Sequence, residues 1–254
     1  MIEIFEGRLG GGKTTAATIR ILDHLRKGGF VCTNVDLLWD GCLKYCRERW
    51  GVLLEERQLK ILTEEEICEF YKFCPRGGSL PVLVVLDEAH LWFNARDHAT
   101  TDKFFRHTLS FLTQSRKLQT DIIFISQSAL NLDRQFARLI QYVWRFRDMS
   151  RYRVPGLGIK LPFYSNKFLA VQYDYDGKTQ FEKYWRTKDP KVFSCFQTNA
   201  ILRPFPGADT GRVDQITLQR VAKKPLIEQL WVKPSIAFVL AFALFYLRFN
   251  FLNY

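Results

Sequence analysis

No two of the six cysteines, Cys32, Cys42, Cys46, Cys68, Cys74 and Cys195, form a Cys-x-x-Cys pair. That absence argues against a zinc ribbon and against a thioredoxin-like redox motif. Cys42 and Cys46 share a helix face, but no second ligand pair accompanies them, so reduced thiols in a cytosolic domain are expected. The four histidines, His24, His90, His98 and His107, are scattered without metal-ligand spacing. The N-terminus lacks the charged and apolar segments of a secretory leader, and the bulk of the chain is expected to fold in the cytosol. No internal repeat or low-complexity tract occurs in the 254 residues, a length that suits one large domain or a domain with an appendage. Acidic residues are in the minority, 26 against 37 Lys and Arg, for a net charge of +11. Such an excess suits an anionic partner, either nucleic acid or a lipid surface, although a soluble basic surface gives the same count.

What is present starts with Gly7-Arg8-Leu9-Gly10-Gly11-Gly12-Lys13-Thr14, which fits the phosphate-binding loop pattern. Glycines let the backbone curl so that N–H groups point at phosphate oxygens. Gly7, Gly10, Gly11 and Gly12 supply that freedom, and the helix that follows adds its positive N-terminal dipole. Lys13 would reach the β- and γ-phosphates of ATP, the Thr14 hydroxyl would hold Mg²⁺, and Thr15 completes the nucleotide-binding set. The context agrees, with a strand over Met1–Phe5 and a helix over Thr14–Arg26 that ends at Gly28-Gly29.

Short apolar runs predict further strands at Phe30–Asn34, Val82–Leu86 and Ile122–Ser126. Helical spacing predicts a helix over Thr101–Lys117. The alternation predicts a doubly wound α/β domain with a mostly parallel sheet, and the phosphate-binding loop together with the Asp87-Glu88 strand tip makes a P-loop NTPase of the ASCE type the expected fold class. A helical insertion is expected over about 36–79, with a capping box at Thr63–Glu66 and a turn at Arg76–Ser79. An irregular stretch follows at Val154–Gly158. Leu169–Tyr175 and Thr179–Trp185 alternate around Asp176-Gly177, which predicts a small β-hairpin addition within about 168–186. The ATPase domain is therefore expected over 1–186, with a proline-marked linker over 187–233.

Residues 234–252 hold a run with no charge before Arg248. A bilayer span needs ~20 largely apolar residues, so this run is at the short end. Trp231 and Arg248 could anchor its two ends, and a run apolar all round does not suit a surface helix. A C-terminal transmembrane helix is expected, and Lys223, Lys224 and Lys233 before it put the N-terminal domain in the cytoplasm. A buried or partner-binding helix is the alternative.

Three more groups complete the candidate site. Asp87 follows the apolar run Val82–Leu86 and can hold Mg²⁺ from a strand tip, and Glu88 beside it can polarise the attacking water. Gln127 ends the strand Ile122–Ser126 and could contact the γ-phosphate or orient that water. Arg116 and Arg138 are candidates for a finger supplied by a second copy of the chain, which would require a homo-oligomer; a surface cation explains each equally well. Arg134, Arg138, Arg145, Arg147, Arg151, Arg153 and Lys160 form the densest basic stretch, interleaved with Tyr142, Trp144, Phe146 and Tyr152. That mix suits a single-stranded DNA contact, but Gln141–Arg147 also alternates like a half-exposed strand.

With those residues in place, the chain resembles the zonular occludens toxin (Zot) family, the assembly ATPases of filamentous phages. The matching residues are Gly7–Thr14, Thr33-Asn34, Leu86-Asp87-Glu88-Ala89-His90 with Trp92 and Phe93, Ser115-Arg116-Lys117, Asp121-Ile122-Ile123 and Ser126-Gln127. They cover roughly residues 1–150. The resemblance implies a single-pass protein of the host inner membrane, in contact with lipid, whose cytoplasmic ATPase drives extrusion of single-stranded phage DNA while coat proteins replace its cytosolic binding protein. It implies phage coat or other assembly proteins as partners. The family often adds a periplasmic domain after the span, which is not expected here. Two rivals remain: a genome-packaging ATPase of a membrane-containing virus, and a nucleotide-dependent membrane scaffold without turnover.

Overall fold

The computed structural model describes residues 1–75, 80–94, 102–152, 164 and 166–197. Eight strands form one sheet: β1 (Ile2–Glu6), β2 (Phe30–Thr33), β3 (Leu59–Ile61), β4 (Val82–Leu86), β5 (Thr120–Ser126), β6 (Tyr142–Asp148), β7 (Lys167–Asp174) and β8 (Gln180–Thr187). Their order is β3-β2-β4-β5-β1-β6-β7-β8. The first six of that order pair in parallel, and β7 and β8 close the sheet as antiparallel strands. The additional strand β5 separates β1 from β4, so the phosphate loop leaves the middle of the sheet. Helices α1 (Lys13–Arg26), α2 (Trp39–Trp50), α3 (Glu64–Ile67), α4 (Asp102–Gln114), α5 (Arg134–Ala137) and α6 (Pro190–Phe193), with several short 3₁₀ turns, lie between and around the strands.

The apolar runs are continuous because the central strands are covered on both faces. All five residues of β4 are buried. Leu83 and Val85 join Phe5, Ile123 and Ile125 in one core, packed with Ala16, Ile21 and Leu25 of α1 and with Tyr45 of α2. Val82, Val84 and Leu86 join Ile4, Ile122 and Phe124 in the other, under Leu112 of α4 and Phe136 of α5.

Several elements differ from the sequence expectation. The insertion is not purely helical, since Leu59–Ile61 pairs with β2 as a parallel edge strand. The Thr63 capping box does form and opens α3. Helix α4 stops at Gln114, three residues early, where the chain turns through Gln119 at a φ of 50° to enter β5. The hairpin β7–β8 is no separate addition, because β7 pairs with β6 along its length and continues the main sheet. Its loop runs from Asp174 to Thr179, and only Gly177 in it takes a positive φ, of 69°.

The expected linker also begins too early. Asp189 caps α6 and Pro190 occupies its first turn. Val192, Cys195 and Phe196 then bury against the α1 face of the sheet. The remainder of that linker, the apolar run at 234–252, the turn at 76–79 and the stretch at 154–158 lie outside the described residues. Among the described residues no helix is long and apolar enough to cross a membrane.

Candidate active site

Parallel strands β1, β4 and β5 end at the same edge of the sheet, and open α/β sheets bind ligands outside that edge. Residues 7–12 leave β1 there. Gly7, Gly10 and Gly12 take φ values of 147°, 73° and 93°. Gly12 ends the loop as the N-cap of α1, whose first turn carries no acidic residue. The amides of this turn are therefore uncontested for an anion. A Cβ on Gly12 would lie 2.7 Å from the Phe168 ring, so the loop is packed tightly by β7 from outside. Lys13 folds back, and its Nζ donates to the carbonyls of Gly7 at 2.9 Å and Arg8 at 3.3 Å. Burial is the main force lowering the Lys13 ammonium pKa, and Glu88 and Asp87 pull it the other way.

Asp87 stands at the tip of β4. Its Oδ2 accepts from the Thr14 hydroxyl at 2.9 Å. Its backbone is clamped by Asn34, which accepts from the Asp87 N–H at 2.6 Å and donates to the Asp87 carbonyl at 3.0 Å. Asp87 is only 9% exposed. Burial raises its carboxyl above the ordinary range, the neighbouring Glu88 charge raises it further, and the Thr14 hydroxyl opposes both. A hydroxyl and a carboxylate side by side, in a pocket that disfavours uncompensated negative charge, fit a hard divalent cation such as Mg²⁺.

Glu88 is left-handed, at φ 47° and ψ 41°. For a residue with a side chain that conformation costs about 1–2 kcal/mol, and strain of this kind collects at working sites. The Asp87 carboxylate accepts from the Glu88 N–H at 2.8 Å, and the Glu88 carbonyl accepts from the Leu91 N–H at 2.8 Å. Glu88 Oε2 is buried without a hydrogen-bond partner among the described residues. It lies 3.3 Å from His90 Nδ1, an ion-pair distance without hydrogen-bond geometry. Ser126 Oγ at the tip of β5 is 3.4 Å from the same nitrogen.

Asp87, Glu88 and Gly10 to Thr15 line one cleft of about 300 Å³. Gln127 is placed differently. Its carbonyl accepts from the Gly7 N–H at 3.2 Å, which ties β5 to the loop, but its side chain is exposed and does not line the cleft. Arg116 lies in the turn before β5. Arg138 follows α5, three residues before the Gln141 N–H that donates to the Ile2 carbonyl. Both arginines are exposed near the opposite edge of the parallel sheet. Within one chain they stand away from the phosphate loop. Of the basic stretch, Trp144 and Phe146 are each 3% exposed and belong to the core, so they present no face to a base. The alternation there is that of strand β6, and Arg145 pairs with Glu6 at 2.8 Å.

Asn34 and His90 enter the sequence reading only as residues that carry the family resemblance, without a role, and Asp36, Phe168, Phe193 and Gln197 do not enter it as site residues. Asn34 carried a signal, being a polar residue at the tip of a buried strand beside β4. His90 did too, two residues beyond Glu88. The aromatic residues of the cleft have no spacing that could reveal them.

The family model described as Zonular occludens toxin (Zot) matches residues 1–197. Gene 1 protein of Enterobacteria phage I2-2 is 27% identical over 214 residues, which cover 79% of this chain and 57% of that protein. Gene 1 protein of Salmonella phage IKe is 28% identical over 215 residues, again covering 79% and 57%. The chain spans little more than half the length of these relatives. Among solved structures, the N-terminal domain of zonular occludens toxin from Neisseria meningitidis aligns with a TM-score of 0.46 at 16% identity, covering 77% of this chain and 98% of that one.

Proposed function

The chain belongs to the Zot family, and from that premise we propose that it is a Mg²⁺-dependent ATPase that drives assembly and export of filamentous phage, extruding single-stranded DNA. Its membership of the family and its phage-encoded relatives support the biological role. The chemical role rests on one observation above the others: a Glu88 carboxylate oxygen, in the cleft with Asp87, Thr14 and Lys13, is buried with no hydrogen bond among the described residues and only His90 at ion-pair distance. A carboxylate left without a hydrogen bond is costly unless something else occupies its lone pairs. A water aimed at the γ-phosphate would do so.

In this reading Lys13 leaves the Gly7 and Arg8 carbonyls and pairs with the phosphates, and the loop amides hold the phosphate oxygens. Thr14 and Asp87 would hold Mg²⁺, which when bound neutralises charge on the phosphates. Glu88 accepts a proton as the water oxygen bonds to the γ-phosphorus and the bond to the β-phosphate oxygen breaks, releasing ADP and phosphate. Asn34 and His90 position Asp87 and Glu88. Gln127 would reach the γ-phosphate or the water only by turning inward. Arg116 or Arg138 would act only from a neighbouring copy, in a homo-oligomer. The apolar run at 234–252 would tether the ATPase to the host inner membrane with this domain in the cytoplasm, where coat and other assembly proteins and the DNA are met.

Steady-state phosphate release by the full chain tests the chemistry. ATP turnover that needs Mg²⁺ and is lost in Lys13→Ala is the expected result. A wild-type chain with no turnover above the Lys13→Ala background would overturn it.

A further inference from the structure

The cleft has a second wall with no part in phosphoryl chemistry. Beyond the loop its lining continues through Phe193, Phe196, Gln197, Val35 and Asp36, with Phe168 packed against Gly12 at the seam. Phe168 and Phe196 are buried, whereas Phe193 keeps 37% of its surface exposed. Its position is not loose. The Leu38 N–H donates to the Cys195 carbonyl at 2.9 Å, and the Gln197 N–H donates to the Asp36 carbonyl at 2.9 Å. Leu37 and Phe196 form an antiparallel bridge. Gly41 of α2 comes so close that a Cβ there would sit 2.0 Å from the Ser194 carbonyl oxygen. The segment around α6 is thus stitched to the exit of β2, with Val192 and Cys195 turned into the core and Phe193 left at the cleft. The Phe193 ring centroid lies 6.1 Å from that of Phe196, which backs it.

We infer that Phe193 is the stacking platform for the base of the bound nucleoside triphosphate. The inference rests on the nucleotide-hydrolysis reading and names how that site holds the other end of its substrate. The half-exposed Phe193 ring offers an uncharged aromatic face, and the Asp36 carboxylate in the same lining disfavours another phosphate, so this part of the cleft suits the π-face of a base. Stacking is blind to the base edge, so GTP gains from Phe193 as ATP does.

Equilibrium binding of the full chain to ATP and to inorganic tripolyphosphate, each with Mg²⁺, separates the two walls. Phe193→Ala should weaken ATP roughly tenfold, the lower part of the range for one base–aromatic stack, and leave tripolyphosphate unchanged. Phe193→Trp should restore ATP binding. Lys13→Ala should weaken both ligands. Unchanged ATP binding in Phe193→Ala, or equal weakening of both ligands, overturns the platform while the nucleotide site stands. A wild-type chain that binds neither ligand overturns the platform and the nucleotide reading together.

Discussion

The phosphate wall of the cleft is made of backbone curvature and charge, while the rest of its lining is largely aromatic side chains from β7 and from the segment after β8. The first occupies consecutive residues at strand tips, because phosphate and Mg²⁺ chemistry demands particular groups at fixed spacing. The second could be built from many apolar residues in many orders. The first is also electrostatically frustrated without a ligand, with Lys13 lowered and Asp87 raised mainly by burial. The second is satisfied: Val192, Cys195 and Phe196 are buried, and their backbone is hydrogen-bonded to the exit of β2. One wall is tuned for substrate and the other for the fold, with Phe193 as the exception at its rim.

Substitutions on the two walls should therefore separate activity from stability. Asp87→Asn should cut ATP turnover about a thousandfold by removing the proposed metal ligand, yet stabilise the ligand-free domain. The sign follows from burial. A carboxyl raised in the folded state stabilises the fold below the ordinary Asp value of ~3.9, and that contribution is lost as pH rises through the raised value. At neutral pH the wild type carries the penalty and the amide does not. Thermal melting at pH 7 should show a gain of about 2–4 °C for each ~1 kcal/mol relieved, shrinking as the solution is acidified. A loss of stability at pH 7 would mean that the Thr14 and Glu88 contacts outweigh desolvation.

On the other wall, Phe196→Ala should destabilise the domain by about 3 kcal/mol, as large core truncations do. Urea unfolding would read this, and a change near zero would mean that the segment around α6 is not part of the folded domain. At the seam, Gly12→Ala meets both a positive φ and the Phe168 ring, and should cost about 1–2 kcal/mol. Truncating Phe168 in the same chain should relieve part of it, and strict additivity in the double-mutant cycle would break the link between the walls.

The same contrast explains what the sequence reveals. Strands β4 and β5 are legible because burial on both faces leaves apolar runs, β1 because the phosphate loop follows it although Glu3 breaks its run, and Asp87 and Glu88 because they directly follow β4. Strand β3 is not, since Leu59-Lys60-Ile61 is too short for any period and sits half-covered at a sheet edge. In Gln141–Arg147 the alternation marks a strand, but only the sheet order shows that β6 pairs with β1 and buries Trp144 and Phe146 on its α1 face. The hairpin is legible from its turn, whereas its pairing with β6 is non-local and leaves no local mark. Residues 189–197 read as a tether because of Pro190, although proline in the first turn of a helix is a start signal. The left-handed backbone at Glu88 has no sequence signature at all.

Glu88 carries the proposed chemistry. Its decisive measurement is ATP turnover by the full chain and by Glu88→Gln, with ATP affinity determined on the same samples. Unchanged affinity and turnover reduced by roughly 10²–10⁴-fold are expected. Equal turnover in the two chains would rule out Glu88 as the base.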